Sequence, residues 1–268
     1  IAGEVVGTLS HAYVSDNGTD NNIFDVTARI PYAVGGITGR LAGGVIDNAV
    51  IYQTLNVNNF NINESYIQVV GGLVGTVEAE SASLSRIYDC ISTADVFARQ
   101  IAGGAVGTVL TSLVVDSVAI NAETINVAGQ TATPIVGGIV AQNEAQTTIT
   151  NSYCNADIKI RTSTSGIDST ASVSGLVGSN ISTLKLAYCY TSSFIDAEIY
   201  DSRVVGGFTT WTPDTSSTGS ADKFYSVNIK SESNNETINN VYCLSTEDKF
   251  VDDYINFRTK TNKTEKEK

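Results

Sequence analysis

Val69-Val70-Gly71-Gly72-Leu73-Val74-Gly75 occurs more than once in this chain. It returns as Ile101-Ala102-Gly103-Gly104-Ala105-Val106-Gly107 and as Ile135-Val136-Gly137-Gly138-Ile139-Val140-Ala141. Looser copies stand at Ala33-Val34-Gly35-Gly36-Ile37-Thr38-Gly39, Ser172-Val173-Ser174-Gly175-Leu176-Val177-Gly178 and Val204-Val205-Gly206-Gly207-Phe208, and the chain opens on Ile1-Ala2-Gly3-Glu4-Val5-Val6-Gly7. The first glycine position falls at residues 3, 35, 71, 103, 137, 174 and 206, so successive copies lie 32 to 37 residues apart. Such a period, with small drift, marks a stacked repeat in which each unit buries its apolar face only against its neighbours. Loops take up the drift.

Each unit carries two further apolar segments after the glycine one. In one unit these are Thr148–Cys154 and Ala156–Arg161; the third unit has Val114–Ile120 with Ile125 and Val127, and the first has Ala49–Tyr52 with Val57, Phe60 and Ile62. Short runs in which apolar and polar residues alternate, bounded by Ser, Thr, Asn and Gly, read as half-buried strands. Three short strands in about 34 residues, with no helical period between them, point to an all-β fold: a right-handed parallel β-helix of about seven coils. Units of this length are too short for the four-stranded blade of a propeller.

Within the copies, the paired glycines (Gly35 and Gly36, Gly71 and Gly72, Gly103 and Gly104, Gly137 and Gly138, Gly175 alone, Gly206 and Gly207) are expected to let one layer approach the next where a Cβ would obstruct. The residue after them, Val5, Ile37, Leu73, Ala105, Ile139, Leu176 or Phe208, is apolar throughout and is assigned to the core. The next position admits Thr38 and Thr209, which suggests an outward or corner site. Four cysteines occur. Cys154, Cys189 and Cys243 each follow a tyrosine and share one repeat context, whereas Cys90 stands one residue out of step. The cysteines read as small apolar residues packed in the stack; adjacent rungs would bring Cys154 and Cys189 to about 4.8 Å, inside the disulfide range, so a bridge between them stays open.

The repeat fills residues 1–246. Ser245-Thr246-Glu247-Asp248 then resembles a helix start, and Phe250, Val251, Tyr254, Ile255 and Phe257 share one face at helical spacing. Residues 247–268 are therefore read as an amphipathic cap followed by a charged tail. Ile1 lies inside a repeat copy, which suggests a piece of a longer array.

Charged residues are scarce, 16 Lys and Arg against 28 Asp and Glu, for a net charge of −12. Sixteen scattered bases make no basic face for nucleic acid, and no apolar run is long enough to span a membrane. His11 is the sole histidine, so no two-histidine metal site exists, and no glycine copy has the strand, glycine turn and lysine-bearing helix of a phosphate loop. Parallel β-helix enzymes use paired carboxylates or acid clusters. The candidates here are Asp89 with Asp95, Asp116 with Glu123, and Asp157, but these acids recur at no common position and read as solvated. No catalytic residue, cofactor site or metal site is assigned. Five glycosylation sequons stand at Asn17, Asn63, Asn180, Asn235 and Asn262.

Gly72-Leu73-Val74-Gly75 and Gly175-Leu176-Val177-Gly178 resemble the core of the GLUG repeat of bacterial cell-surface proteins, which also flanks some secreted immunoglobulin A peptidases. Ser152-Tyr153, within Asn151–Ala156, is similar to the family's downstream Asn-Ser-Tyr segment. Ala105 and Ile139 replace the leucine, Ala141 the last glycine, and Ser174 one glycine of a pair. The resemblance implies a non-enzymatic extracellular stalk or adhesin module whose partner is a protein or glycan on another surface, or a second copy of itself. A filament subunit and a carbohydrate-active β-helix enzyme are the alternatives.

Overall fold

The computed structural model describes residues 2–14, 23–25, 33–52, 54–56, 69–81, 83–128, 134–161, 172–198, 204–206 and 236–243. The proposed cap and tail lie outside them. The described part is an all-β, right-handed parallel solenoid. Among the described residues every strand pairing is parallel, and equivalent residues of successive coils pair without slip, Gly35 with Gly71, Gly71 with Gly103 and Gly103 with Gly137.

Each coil contributes five short strands, not three. In the coil at residues 69–98 they are Val69–Gly71, Val74–Val77, Ser85–Tyr88, Ile91–Ser92 and Val96–Ala98, and each heads one of five ladders, first to fifth in that order. Two local breaks cause the difference. The glycine pair splits the first apolar segment, and a single residue with positive φ splits the second. Four coils show all five strands separately, and in a further one the third and fourth strands fuse into Leu184–Thr191. Partial coils flank these, so the described stack is shorter than the seven full coils expected.

The core is one continuous aliphatic column. Ile37, Leu73, Ala105, Ile139 and Leu176 are fully buried and stack with Ile46, Ile87, Val115 and Ile149 from the third ladder and Val96, Ile125 and Ile158 from the fifth. The inward assignment of the residue after the glycines thus holds for all six described copies, Val5 included; Phe208 lies outside the described residues. The position after it, expected at an outward or corner site, is exposed at Val6 in the first copy but buried at Thr38, Val74, Val106, Val140 and Val177. Leu73 and Val74 both donate their amides to the carbonyl of Ala105, and the pairs Ile37/Thr38, Ala105/Val106 and Ile139/Val140 do the same to the coil above them. Two successive amides on one acceptor form a bulge, which carries both side chains to one side. Thr38 is accommodated because its hydroxyl donates to the Arg40 carbonyl at 2.9 Å.

The second glycine of each pair is required by close approach, not by φ. A Cβ on Gly72 would meet the backbone carbonyl of Gly104, one on Gly104 that of Gly138, and one on Gly138 that of Gly175. The first glycine crowds both its own turn and the next coil, at Gly71 the carbonyl of Val74 together with the Gly107 amide at 2.7 Å and the Ala105 carbonyl at 2.8 Å, yet that column holds Ser174 in register with Gly137 and Gly206. The glycine that closes each heptapeptide has a third role. Gly75 and Gly107 sit where the outer faces of the first and second ladders meet across a re-entrant corner, so that a Cβ on Gly75 would lie 2.9 Å from that of Ala33. Val69, Ile101 and Ala141 form a small second cluster there.

Between the third and fourth ladders every coil places a non-glycine residue at positive φ: His11, Asn48, Asp89, Ser117, Asn151 and Tyr188, all between 48° and 57°. Asn, Asp and His enter this region most readily, and four of these six are of those types. The column turns each coil by one residue and leaves the third and fourth ladders as one broad sheet.

Candidate functional site

That sheet presents the most organised exterior among the described residues. Its outward positions fall in columns fixed by the ladder register. Thr8, Val45, Arg86, Val114, Thr148 and Lys185 make one; Ser10, Asp47, Tyr88, Asp116, Thr150 and Ala187 the next; Tyr13, Val50, Ile91, Ala119, Tyr153 and Tyr190 a third beyond the turn. Tyr13 is 64% exposed and Ile91 38%, while Val45, Val50, Tyr88, Val114 and Ala119 are half-buried. An apolar stripe therefore runs along the rod. At one end Tyr13 meets Tyr52 edge-on at 5.7 Å, and at the other Tyr153 and Tyr190 stack at 4.8 Å with planes 7° apart. The pattern was visible in the sequence as Tyr and β-branched residues at alternate positions, but its alignment needed the register.

Three of the candidate acids, Asp95, Asp116 and Asp157, make side-chain contacts within the solenoid. Asp95 accepts the Thr124 amide at 2.8 Å from the next coil, and Asp116 accepts from the Thr150 hydroxyl at 2.8 Å and the Asn151 amide group at 2.7 Å. Asp157 pairs with Lys159 at 3.4 Å, and its own amide donates to the Glu123 carbonyl. Asp89 occupies the positive-φ turn with its side chain exposed, and His11 does the same in the first coil. Arg40 bridges Glu4 at 3.3 Å and Glu78 at 3.7 Å across three successive coils. Among the described residues, no three His, Cys, Asp or Glu side chains gather as a metal-ligand set.

The Cys154–Cys189 bridge that the spacing left open is not formed: both thiols are free and buried, as packed residues of the stack. The shared Tyr-Cys context misled, because Tyr188 is the turn residue and Tyr190 is the partner of Tyr153. Cys154 consequently pairs in register with Thr191 and, one coil on, Cys243, whereas Cys189 occupies the position of Cys90, directly after the turn. The likeness shows in their bonds: the Cys90 thiol donates to the Tyr88 carbonyl at 2.9 Å and the Cys189 thiol to that of Ala187 at 3.3 Å. Burial pushes the Cys90 thiol up to about 11, and those of Cys154 and Cys189 to about 12. Such thiols are inert packing groups, not nucleophiles.

Among the sequons, only Asn180 is described. Its side-chain oxygen accepts from the Asn143 amide group at 2.7 Å and from the Ser182 backbone. Asn17, Asn63, Asn235 and Asn262, like Gly207, lie outside the described residues. No family model matches the chain, and no curated protein or solved structure matches it either.

Proposed function

We propose that this chain is a non-enzymatic, extracellular β-solenoid that serves as a stalk or adhesin module on a cell surface, as its GLUG-like repeats imply. The observation that supports the reading most is the unslipped stacking of five ladders around one aliphatic column. In a solenoid each coil is held only by its neighbours, so length is added without any change of local structure. That suits a spacer. The outer side chains that carry chemistry, Asp95, Asp116 and Asp157, are engaged in bonds between coils or along a strand.

Two measurements test the proposal. Intact source cells are labelled with an antibody against the coils at 69–128 and then treated with an external protease. Labelling that the protease removes is the expected result, and protein found only inside the cells overturns the reading. In parallel, the chain is incubated with pectin, alginate and mucin glycans while new reducing ends are followed. No release is expected, and turnover that Asp89→Asn or Asp116→Asn abolishes would establish an enzyme instead.

A further inference from the structure

We infer that the broad sheet of the third and fourth ladders is a pairing surface for a second copy of this chain, with the two rods antiparallel. The inference is independent of where the protein resides and concerns what covers the apolar stripe.

Charge is the first argument. The chain carries a net charge of −12, yet the outward columns of this sheet hold only three acids, Asp47, Asp89 and Asp116, against two bases, Arg86 and Lys185. The face is close to neutral, so repulsion between copies is small here. Among the described residues neither Arg86 nor Lys185 forms an ion pair. Arg86 stands in the centre of the apolar patch, with Val45 on the coil below and Val114 on the coil above.

Size is the second. Six residues across, from Arg86 to Ile91 on either side of the turn, and five open levels high, the face measures roughly 20 by 24 Å from ordinary strand dimensions. Two such faces would bury roughly 1,000 Å², the size of a weak, reversible protein interface. Two sheets can pack face to face at about 10 Å separation with their side chains interdigitated.

Orientation follows from the register. In a parallel pair, each Asp47 and each Asp116 would lie at the same height as its own copy, acid beside acid. An antiparallel pair, related by a two-fold axis midway between the coils of Arg86 and Asp116, brings Arg86 to the level of Asp116 of the second copy. These two positions lie in adjacent columns, about two residues or 7 Å apart, which an arginine spans. The symmetry forms this contact twice. Val114 and Tyr88 then meet at the centre, with Ile91 and Ala119 beside them.

Sedimentation velocity on the full chain over about a hundredfold range of concentration, with a thermal melt of every variant, tests this. A monomer–dimer equilibrium is expected. Ile91→Lys should raise the dissociation constant at least tenfold without lowering the melting temperature, because Ile91 is exposed in the single chain. Arg86→Glu and Asp116→Arg should each weaken the homodimer, whereas an equimolar mixture of the two variants should associate, since the reversed charges then face their opposites across the interface. A chain that stays monomeric at every concentration overturns the inference, as does a dimer indifferent to Ile91→Lys. Failure of the mixed variants to associate overturns the antiparallel arrangement.

Discussion

Replacing Gly72 by alanine asks whether the coils are as tightly seated as the register implies. The added methyl would stand 3.1 Å from the carbonyl carbon of Gly104 and 2.9 Å from the Ser92 hydroxyl, with the Gly104 oxygen closer still. Relief requires the next coil to retreat by roughly 1 Å, since carbon and oxygen in van der Waals contact need about 3.4 Å or more. The Gly72, Leu73 and Val74 amides now reach that coil at 3.0, 2.9 and 2.9 Å, and such a retreat takes all three out of hydrogen-bonding range. At about 1–3 kcal/mol for each buried donor left unmade, with part recovered by local bending, the loss comes to about 3–6 kcal/mol. That is a large share of a typical domain's stability. Urea unfolding followed by far-ultraviolet circular dichroism reads it as a lower midpoint. Gly71→Ser is the comparison, because Ser174 already occupies that column in register with Gly137 and Gly206; its cost should be smaller. A Gly72→Ala loss below about 1 kcal/mol, or one equal to that of Gly71→Ser, would refute the reasoning.

Three further outcomes are expected. Leu73→Ala removes a fully buried side chain from the column and should cost about 2–5 kcal/mol, whereas Tyr13→Ala at the exposed surface should cost less than about 1, both read from unfolding midpoints. Tyr188→Asn puts a side chain suited to positive φ at a turn where φ is 55°, and should leave stability unchanged or raise it by up to about 1 kcal/mol in the same assay. Cys90, Cys154 and Cys189 should resist a thiol reagent in the native protein at neutral pH and react on unfolding. Because burial raises their pKa from 9.0 to about 11 and 12, the stability held by the neutral thiols is fully present below pH 9 and declines as pH rises toward 11 and 12, so unfolding midpoints should be flat up to pH 9 and fall above it.

What could be read from the residues was whatever repeats without interruption. The paired glycines recur in five of the seven copies and the apolar residue after them in all seven, and their period alone implies stacking, so the solenoid and its core line were legible. The strand count was not, because a turn made by one residue at positive φ leaves little trace in composition: Ser117 and Tyr188 look like strand residues, and only their dihedral angles reveal a corner. The same turn hid the true alignment of the cysteines. Thr38 looked outward by its polarity, yet a bulge that draws two successive amides to one carbonyl puts it inside. The surface stripe was the least legible feature, since its members come from separate coils and become neighbours only once the register is known.

That register also governs how such a chain can change its length over evolutionary time. Residues 72–103 amount to one whole coil, and excising them would join Gly71 directly to Gly104, glycine to glycine, in the same turn. The neighbours of the lost stretch would then meet with Ile37 against Ala105 and Val70 against Val136, much as adjacent coils already do. Unequal recombination between copies therefore yields a shorter or longer rod in one event, without an intermediate whose core is broken.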